Sequence, residues 1–171
     1  IKKAIAEFSG ISGRIEFVQK EPFAVVIDYA HTPDSLCKAY ETLRSLNPKA
    51  KTPCLPAGKQ NPKLICVLGC GGGGRDKWKR PEMGKIAVQY CDEVILTNED
   101  PYNENPSDII EQIASGFSQA SNSKSQIPNL YKILDRKEAI KKAIGLAQKG
   151  DVVVITGKGS EPLMMLDNGK K

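Results

Sequence analysis

Short apolar runs rich in β-branched residues recur along the chain and predict buried strands. Four of them are nearly continuous in apolar side chains, at residues 23–28, 64–68, 93–97 and 151–156. A strand that is covered on both faces has no polar face, so continuous runs indicate a parallel sheet between two layers of helices. Two weaker runs predict a short strand and a strand at the sheet edge, at residues 130–134 and 14–18.

Stretches with helical spacing separate these runs, at residues 33–46, 81–91, 106–120 and 136–149. Three of them have a proline near the first turn with an acidic residue close by, and Gly150 follows the fourth. These are the ordinary signals for helix starts and for a helix end. The alternation predicts an α/β fold, a Rossmann-like, mainly parallel six-stranded sheet with helices on both faces.

The length and the apolar content limit the chain to one domain. With 171 residues, 40% of them hydrophobic, the chain can bury one core and is too short for two ordinary domains. We therefore expect residues 1–171 to form a single domain, with surface loops at residues 47–62 and 121–128. The chain opens in an apparent helix at Ile1 and stops without a closing element, as expected for part of a longer protein.

Composition narrows the expected partners. The five cysteines are scattered and His31 is the only histidine, so we expect reduced thiols and no metal site. The net charge of +5 suits an anionic small ligand, and the basic residues lack the interleaved aromatics of a nucleic-acid surface. No apolar run reaches the roughly 20 residues of a membrane span, and no signal peptide is recognisable. We expect a cytoplasmic protein that binds neither nucleic acid nor membranes.

Ligands of open parallel sheets bind outside the carboxyl ends of the strands, so the loops after the four strong strands are the candidates for chemistry. The first loop begins at Asp28, followed by an aromatic residue and by His31. Asp28 could accept hydrogen bonds from a ribose. The alternative is that Asp28 and Thr32 only cap the next helix.

The second loop, residues 69–81, has five glycines in its first six residues and four cations, and it leads into a helix. Backbone N–H groups without neighbouring side chains, close to Arg and Lys, form an anion site. A flexible hinge is the alternative. The loop is not a P-loop, because GxxxxGK[ST] is absent.

The third and fourth loops carry acidic residues. Residues 97–106 are acidic and stiffened by proline, which suits an ammonium group or a cation, although a plain loop capped by Ser107 would look similar. Residues 156–162 place Lys158 and Glu161 on a glycine turn. Such a pair could hold the two ends of an amino acid.

Four motifs in this order resemble the C-terminal domain of the Mur ligases. They are DYAHTPDSL, GCGG with RDKxKRPxMGKIA, T-x-x-x-P-x-x-E-x-P and GKGSE, and the match runs from about Gly13 to Glu161. Within the family, the chain is similar to the synthetases that add the third residue to UDP-MurNAc-L-Ala-D-Glu. The resemblance implies a three-domain, ADP-forming amide ligase of peptidoglycan synthesis. It would use ATP to make an acyl phosphate, which a diamino acid, meso-diaminopimelate or L-lysine, then attacks.

The resemblance also implies roles for particular residues. At the ATP side it places Arg14, Asp28 and His31. At the positions that receive the diamino acid it places Arg75, Glu99, Asp100, Tyr102, Gly157 and Glu161. Arg75 should hold a carboxylate and Glu161 an ammonium group. The P-loop and most ligands of the Mg²⁺ would belong to a central domain, so this chain would contain no catalytic residue of its own. We expect a monomer that is inactive in isolation.

The chain departs from the family pattern at the third loop. Members that add diaminopimelate usually read Asp-Asn-Pro-Arg, whose arginine binds the distal carboxylate, and this chain reads Glu99-Asp100-Pro101-Tyr102. The missing arginine favours a lysine-like substrate, unless Lys77, Lys79 or Arg80 substitutes for it, so both substrates stay open. In addition, Ser160 replaces a common histidine, and the glycine loop is one residue longer than usual.

Two other functions are alternatives to this one. Another Mur-type ligase, a folylpolyglutamate or cyanophycin synthetase, would share the domain type, but the RDKxKRP and GKGSE motifs argue against it. A stand-alone nucleotide-binding or amino-acid-binding module would need no further domains.

Overall fold

The computed structural model describes residues 10–46, 61–120, 127–167 and 169–170. The helix expected at the start of the chain and most of both predicted surface loops lie outside these residues. Within them, no helix is both long enough and apolar enough to cross a membrane.

The described residues alternate between strands and helices, as the hydrophobic pattern predicts. In chain order the elements are β1 (Glu16–Gln19), β2 (Ala24–Asp28), α1 (Pro33–Leu46), β3 (Leu64–Leu68), α2 (Lys79–Tyr90), β4 (Glu93–Leu96), α3 (Pro106–Ala120), β5 (Asn129–Lys132), α4 (Arg136–Leu146), β6 (Val152–Thr156), β7 (Met165–Leu166) and β8 (Gly169–Lys170).

Six of these strands form one sheet in the order β1-β2-β6-β3-β4-β5. Strands β2 to β6 run parallel to one another, and β1 pairs antiparallel with β2 at the edge. The predicted mainly parallel, six-stranded sheet is therefore confirmed, including its edge strand. The pair β7 and β8, two residues each, was not predicted because such short strands leave no periodic pattern.

Both faces of the sheet are covered, which explains why its strands are apolar without alternation. Val154 and its neighbours in β3 and β4 belong to a core beneath α1, α2 and α3. Val153 belongs to a second core, on the other face, beneath α4. Successive strand residues thus enter different cores, and both must be apolar.

Two helix boundaries differ from the sequence expectation. Helix α2 begins at Lys79, two residues before Pro81, because a proline within the first turn loses no helical hydrogen bond. Helix α4 ends at Leu146, because Ala147 is already extended, with φ −72° and ψ 138°. The segment up to Gly150 is a turn that leads into β6 rather than a last helical turn.

Candidate functional site

The loops that follow β2, β3, β4 and β6 meet in one cleft of about 270 Å³ at the carboxyl edge of the sheet. Seven of the nine residues selected from the sequence line this cleft, and they are His31, Arg75, Glu99, Asp100, Tyr102, Gly157 and Glu161. The two others, Arg14 and Asp28, are not among its lining residues. The structure thus brings together all six residues predicted for the amino acid, although their binding roles stay predictions.

Asp28, at the end of β2, lies beneath the cleft and is 8% exposed. Its two carboxylate oxygens accept hydrogen bonds from the backbone N–H groups of Ile15 and Ala30, each at 2.8 Å. The first of these bonds holds Ile15 at φ 45°, a conformation that β-branched residues rarely adopt. Asp28 does not cap α1, because that cap is Thr32, whose Oγ1 accepts the Ser35 N–H at 3.3 Å.

Tyr29 connects three of the predicted site residues, although the sequence did not mark it as one. Its hydroxyl donates to Glu161 Oε1 at 2.7 Å, and this bond raises the pKa of the tyrosine. The Arg14 guanidinium carbon lies 4.3 Å from the centroid of the Tyr29 ring, and the His31 ring packs edge-on against it with centroids 4.9 Å apart. The predicted ATP side and the predicted amino-acid side therefore share one aromatic ring.

Lys158 lies at the centre of the ionic contacts in the cleft. Its ammonium group donates to Asp100 Oδ2 at 2.7 Å and to Glu161 Oε2 at 2.8 Å. Burial lowers the pKa of Lys158, but the bonds to both carboxylates outweigh this effect, and the net pKa is raised. The bonds from Lys158 and Tyr29 lower the pKa of Glu161. Lys158 and Glu161, expected to hold the two ends of a ligand, thus bind each other.

Glu99 is a buried carboxylate in the floor of the cleft, 5% exposed. Its Oε2 atom is buried without a hydrogen-bond partner, and its nearest cation is Arg136, whose Nη1 lies 3.9 Å away. Burial raises the pKa of Glu99 to about 7, against the opposing charge of Arg136, and burial also lowers the pKa of Arg136. A Cβ atom on Gly69 would lie 2.6 Å from the Glu99 Cβ, and one on Gly157 would collide with Oε2. Both glycines are needed for Glu99 to fit.

The third loop is strained at the cleft. Asp100 and Tyr102, on either side of Pro101, have φ angles of 38° and 51°, in the left-handed region. Backbone bonds hold this shape, because Asp100 O accepts from Gly72 N at 2.9 Å and Tyr102 N donates to Met165 O at 3.1 Å. Tyr102 therefore presents an aromatic wall where the resemblance places an arginine in diaminopimelate-adding members.

The glycine loop packs against that same segment. A Cβ atom on Gly73 would lie 2.7 Å from the Tyr102 ring, and one on Gly72 would collide with Pro101 O. Gly73 and Gly74 also have positive φ angles, 67° and 80°. Close approach and left-handed backbone explain the glycines at these positions, and they place Arg75 at the cleft.

The three cations named as substitutes for the missing arginine have different surroundings. Arg80 is fully buried, and its guanidinium donates to Glu104 twice, to Gln112 and to the Gly71 carbonyl. These bonds lower the pKa of Glu104 to about 2. Lys77 pairs with the same Glu104 at 3.1 Å and does not line the cleft. Only Lys79, of the three, lines the cleft.

Sequence reasoning missed two residues of the site, Tyr29 and Arg136. It named Lys158 only as one half of a possible ligand-binding pair and Lys79 only as a possible substitute for an arginine. Tyr29 stands inside the quoted DYAHTPDSL motif, so its position after a strand was a usable signal. Arg136 stands outside the quoted motifs, because it begins the helix that follows β5 and not one of the four strong strands. It reaches the site by donating to Thr156 O at 2.8 Å.

The fold and the cleft define a class of protein. The chain belongs to the Mur ligase family, because a model described as "Mur ligase, glutamate ligase domain" matches residues 13–159. A relative with 44% identity over 162 residues is the UDP-N-acetylmuramoyl-L-alanyl-D-glutamate-2,6-diaminopimelate ligase of Syntrophomonas wolfei. This alignment covers 94% of the chain and 29% of the relative. The chain thus spans less than a third of the curated relatives it matches.

Solved structures agree with the family. One, a UDP-N-acetylmuramoyl-L-alanyl-D-glutamate-2,6-diaminopimelate ligase, has a TM-score of 0.73 at 32% identity and is matched over 98% of this chain and 30% of its own. Another, a bifunctional folylpolyglutamate synthase/dihydrofolate synthase from Yersinia pestis complexed with AMPPNP and a Mn ion, has a TM-score of 0.61 at 15% identity, over 88% of this chain and 29% of its own. The second likeness shows the shared fold.

Proposed function

We propose that this chain is the C-terminal, amino-acid-binding domain of an ATP-dependent, ADP-forming amide ligase of peptidoglycan synthesis. The enzyme would join a diamino acid to UDP-MurNAc-L-Ala-D-Glu. The observation that carries the proposal is the convergence of Arg75, Asp100 and Glu161 in one cleft, in a chain whose relatives are named as diaminopimelate-adding ligases. The folylpolyglutamate alternative is not favoured, because its similarity is limited to the fold.

The charges of the cleft suit the amine that must attack. An amino acid presents a carboxylate, which Arg75 can bind, and an ammonium group, which the carboxylates of Asp100 and Glu161 can bind beside Lys158. Charge-assisted bonds at both ends fix the nitrogen relative to the acyl phosphate. The entropy cost of bringing the two groups together is then met when the amino acid binds and does not add to the barrier of the reaction. After the ammonium group loses a proton to solvent, the free amine attacks the acyl carbon, and the amide bond forms as inorganic phosphate leaves. The role of this domain is therefore to position the nucleophile.

Nucleotide contacts would come from the β1 and β2 side. Arg14 and His31 flank Tyr29 there and would contact phosphate or ribose, while Asp28 keeps lone pairs beyond its two backbone bonds. Within the described residues, no group of three or more His, Cys, Asp or Glu side chains could hold a metal ion. We therefore assign Mg²⁺, which would neutralise the ATP phosphates, to another part of a longer polypeptide.

The test is ADP release by the longer ligase that the proposal implies, with ATP, UDP-MurNAc-L-Ala-D-Glu and a diamino acid. Replacing Arg75 with Gln should raise the KM for the diamino acid about tenfold or more and leave the KM for ATP unchanged, because in this proposal Arg75 binds the amino acid and not the nucleotide. The matched control is Lys137→Gln, which removes an exposed cation from α4. ADP release that depends on a folate or on glutamate instead of a diamino acid would contradict the proposal.

A further inference from the structure

The cations at the cleft differ in whether they are paired with a carboxylate of the protein. Lys158 is bound to two carboxylates, and Arg136, behind the cleft, faces Glu99. Arg75 is exposed at the cleft and forms no ion pair with the described residues. Lys79 lines the cleft as well, and its one described hydrogen bond is to a neutral group. Two cations, Arg75 and Lys79, therefore remain without a bound anion in the described part of the cleft.

Lys79 is the more informative of the two, because it is 9% exposed. Its ammonium group donates to the His31 carbonyl at 3.1 Å, which leaves two of its three donors for other groups. Glu99 acts on it only through space and has Arg136 as its main counter-charge. A buried ammonium is costly unless it is paired and hydrogen-bonded. A lysine that is buried at a cleft and bonded to one carbonyl is therefore arranged for an anion that enters the cleft.

From this arrangement we infer that Lys79 binds the second carboxylate of a dicarboxylic diamino acid, while Arg75 binds the first. The inference rests on the proposed function and names the substrate class of the same cleft. Lys79 would thus be a specificity-determining residue.

Counting charges separates the two candidate substrates. meso-Diaminopimelate carries two carboxylates and two ammonium groups, and L-lysine carries one carboxylate and two ammonium groups. Two cations without a bound anion match the first ligand, whereas L-lysine would leave Lys79 buried and unpaired beside its aliphatic end. Discrimination by an unpaired buried group is strong, because that group loses its water and gains no partner. The cleft should therefore favour the dicarboxylate.

The experiment is an NMR titration of the 171-residue chain, labelled with ¹⁵N, with meso-diaminopimelate, L-lysine and inorganic phosphate in turn. We expect the wild-type chain to bind meso-diaminopimelate about tenfold or more tightly than L-lysine. Replacing Lys79 with Met should reduce the affinity for meso-diaminopimelate about tenfold or more and raise the affinity for L-lysine, because L-lysine then no longer removes water from an ammonium group without a partner. Lys77→Met is the matched control, because it removes a cation of the same loop that lies outside the cleft lining.

A measurement on the unsubstituted chain guards against a variant that fails to fold. The Lys79 ammonium resonance should shift with meso-diaminopimelate and not with L-lysine. Equal binding of both diamino acids, an equal loss for both in Lys79→Met, or a Lys79 shift with phosphate alone would overturn the inference and leave the proposed function standing. If neither diamino acid binds the wild-type chain, the proposed function fails together with the inference.

Discussion

At the scale of single residues, the cleft depends on glycines that leave room for charged side chains. Gly157 has a φ of 101°, and a Cβ atom at this position would collide with the Glu99 carboxylate. Neither the backbone angle nor the close contact is compatible with a larger residue. Gly157 is thus required by the packing around Glu99, whatever the cleft binds.

Replacing Gly157 with Ala should therefore destabilise the domain by about 3 kcal/mol, from the clash and from the left-handed backbone together. The free energy of unfolding in urea is the measurement. Gly74→Ala is the control, because Gly74 also has a positive φ, 80°, but a Cβ atom there meets nothing within 4 Å. Its cost should be about 1 kcal/mol. Equal costs at both positions would show that the contact with Glu99 is unimportant.

Glu99 gives a second prediction at this scale, a pH dependence. Its pKa in the folded chain is about 7, above the ordinary value of 4.5, so the folded state binds the proton more tightly than the unfolded chain does. Its contribution to stability is full below pH 4.5 and is lost as the pH rises towards 7. Relative to Glu99→Gln, the wild-type chain should lose up to about 3 kcal/mol across this range.

The measurement is the difference in the free energy of unfolding between the wild-type chain and Glu99→Gln, at pH values from 4 to 8. The difference isolates Glu99 from Glu104 and Glu161, whose lowered pKa values act in the opposite direction. A difference that stays constant with pH would mean that Glu99 has the same pKa in the folded and the unfolded chain, so that the charge of Arg136 fully offsets the burial.

At the scale of elements, α2 and α3 approach each other closely through two glycines. A Cβ atom on Gly84 would collide with the Ile113 carbonyl, and one on Gly116 would collide with the Pro81 carbonyl. Both obstacles are backbone atoms, which cannot move without shifting a helix. Because α2 starts at the glycine loop and α3 follows the third loop, this contact also sets the distance between two walls of the cleft.

The helix contact predicts that Gly84→Ala is destabilising, by roughly 3 kcal/mol, since overpacking in a rigid contact costs this much. The control is Gly145→Ala on α4, where a Cβ atom meets nothing within 4 Å. That change should stabilise the chain by up to about 1 kcal/mol, the helix propensity of alanine over glycine. Thermal unfolding followed by circular dichroism distinguishes the two. Two changes of the same sign would contradict the close contact.

The elements themselves could largely be predicted from the sequence. Strands buried on both faces leave continuous apolar runs, and β3 has the bounds that its run predicted. The predicted start of α2 was wrong by two residues, because Pro81 tolerates a place inside the first turn. The predicted end of α4 was wrong by three residues, because Ala147 gives no stop signal. Local sequence specifies the interior of an element better than its ends.

Seven of the nine residues selected from the sequence lie in one cleft, but their contacts could not be predicted. Strand order brings the four loops together, which the motifs already implied, but the pairing of Lys158 with Asp100 joins residues 58 positions apart. The burial of Arg80 and the approach of Arg136 to Glu99 likewise depend on tertiary packing. No spacing rule within one segment contains such information, so these contacts had to come from the structure.

At the scale of the whole molecule, the chain contributes one domain to the proposed ligase, and the cleft of this domain lies at the carboxyl edge of its sheet. Its sequence has no GxxxxGK[ST] loop to hold the phosphates of ATP, and its glycine loop is packed against Pro101 and Tyr102. It covers 29% of the length of a relative named as a ligase. The six residues predicted to bind the amino acid lie in one cleft, so we expect the chain alone to bind the diamino acid.

We therefore expect the isolated chain to release no measurable ADP from ATP, with UDP-MurNAc-L-Ala-D-Glu and a diamino acid both present. A coupled assay of ADP is the measurement, and binding of the diamino acid to the same preparation shows that the chain is folded. Electrostatic stabilisation of the transferring phosphoryl group needs donors placed around it, and we propose that the cations of this cleft bind an amino acid instead. ADP release that requires the dipeptide substrate would mean that the chain holds ATP by itself. In that case Arg14, His31 and Tyr29, the group at the β1 side of the cleft, would be the first residues to replace.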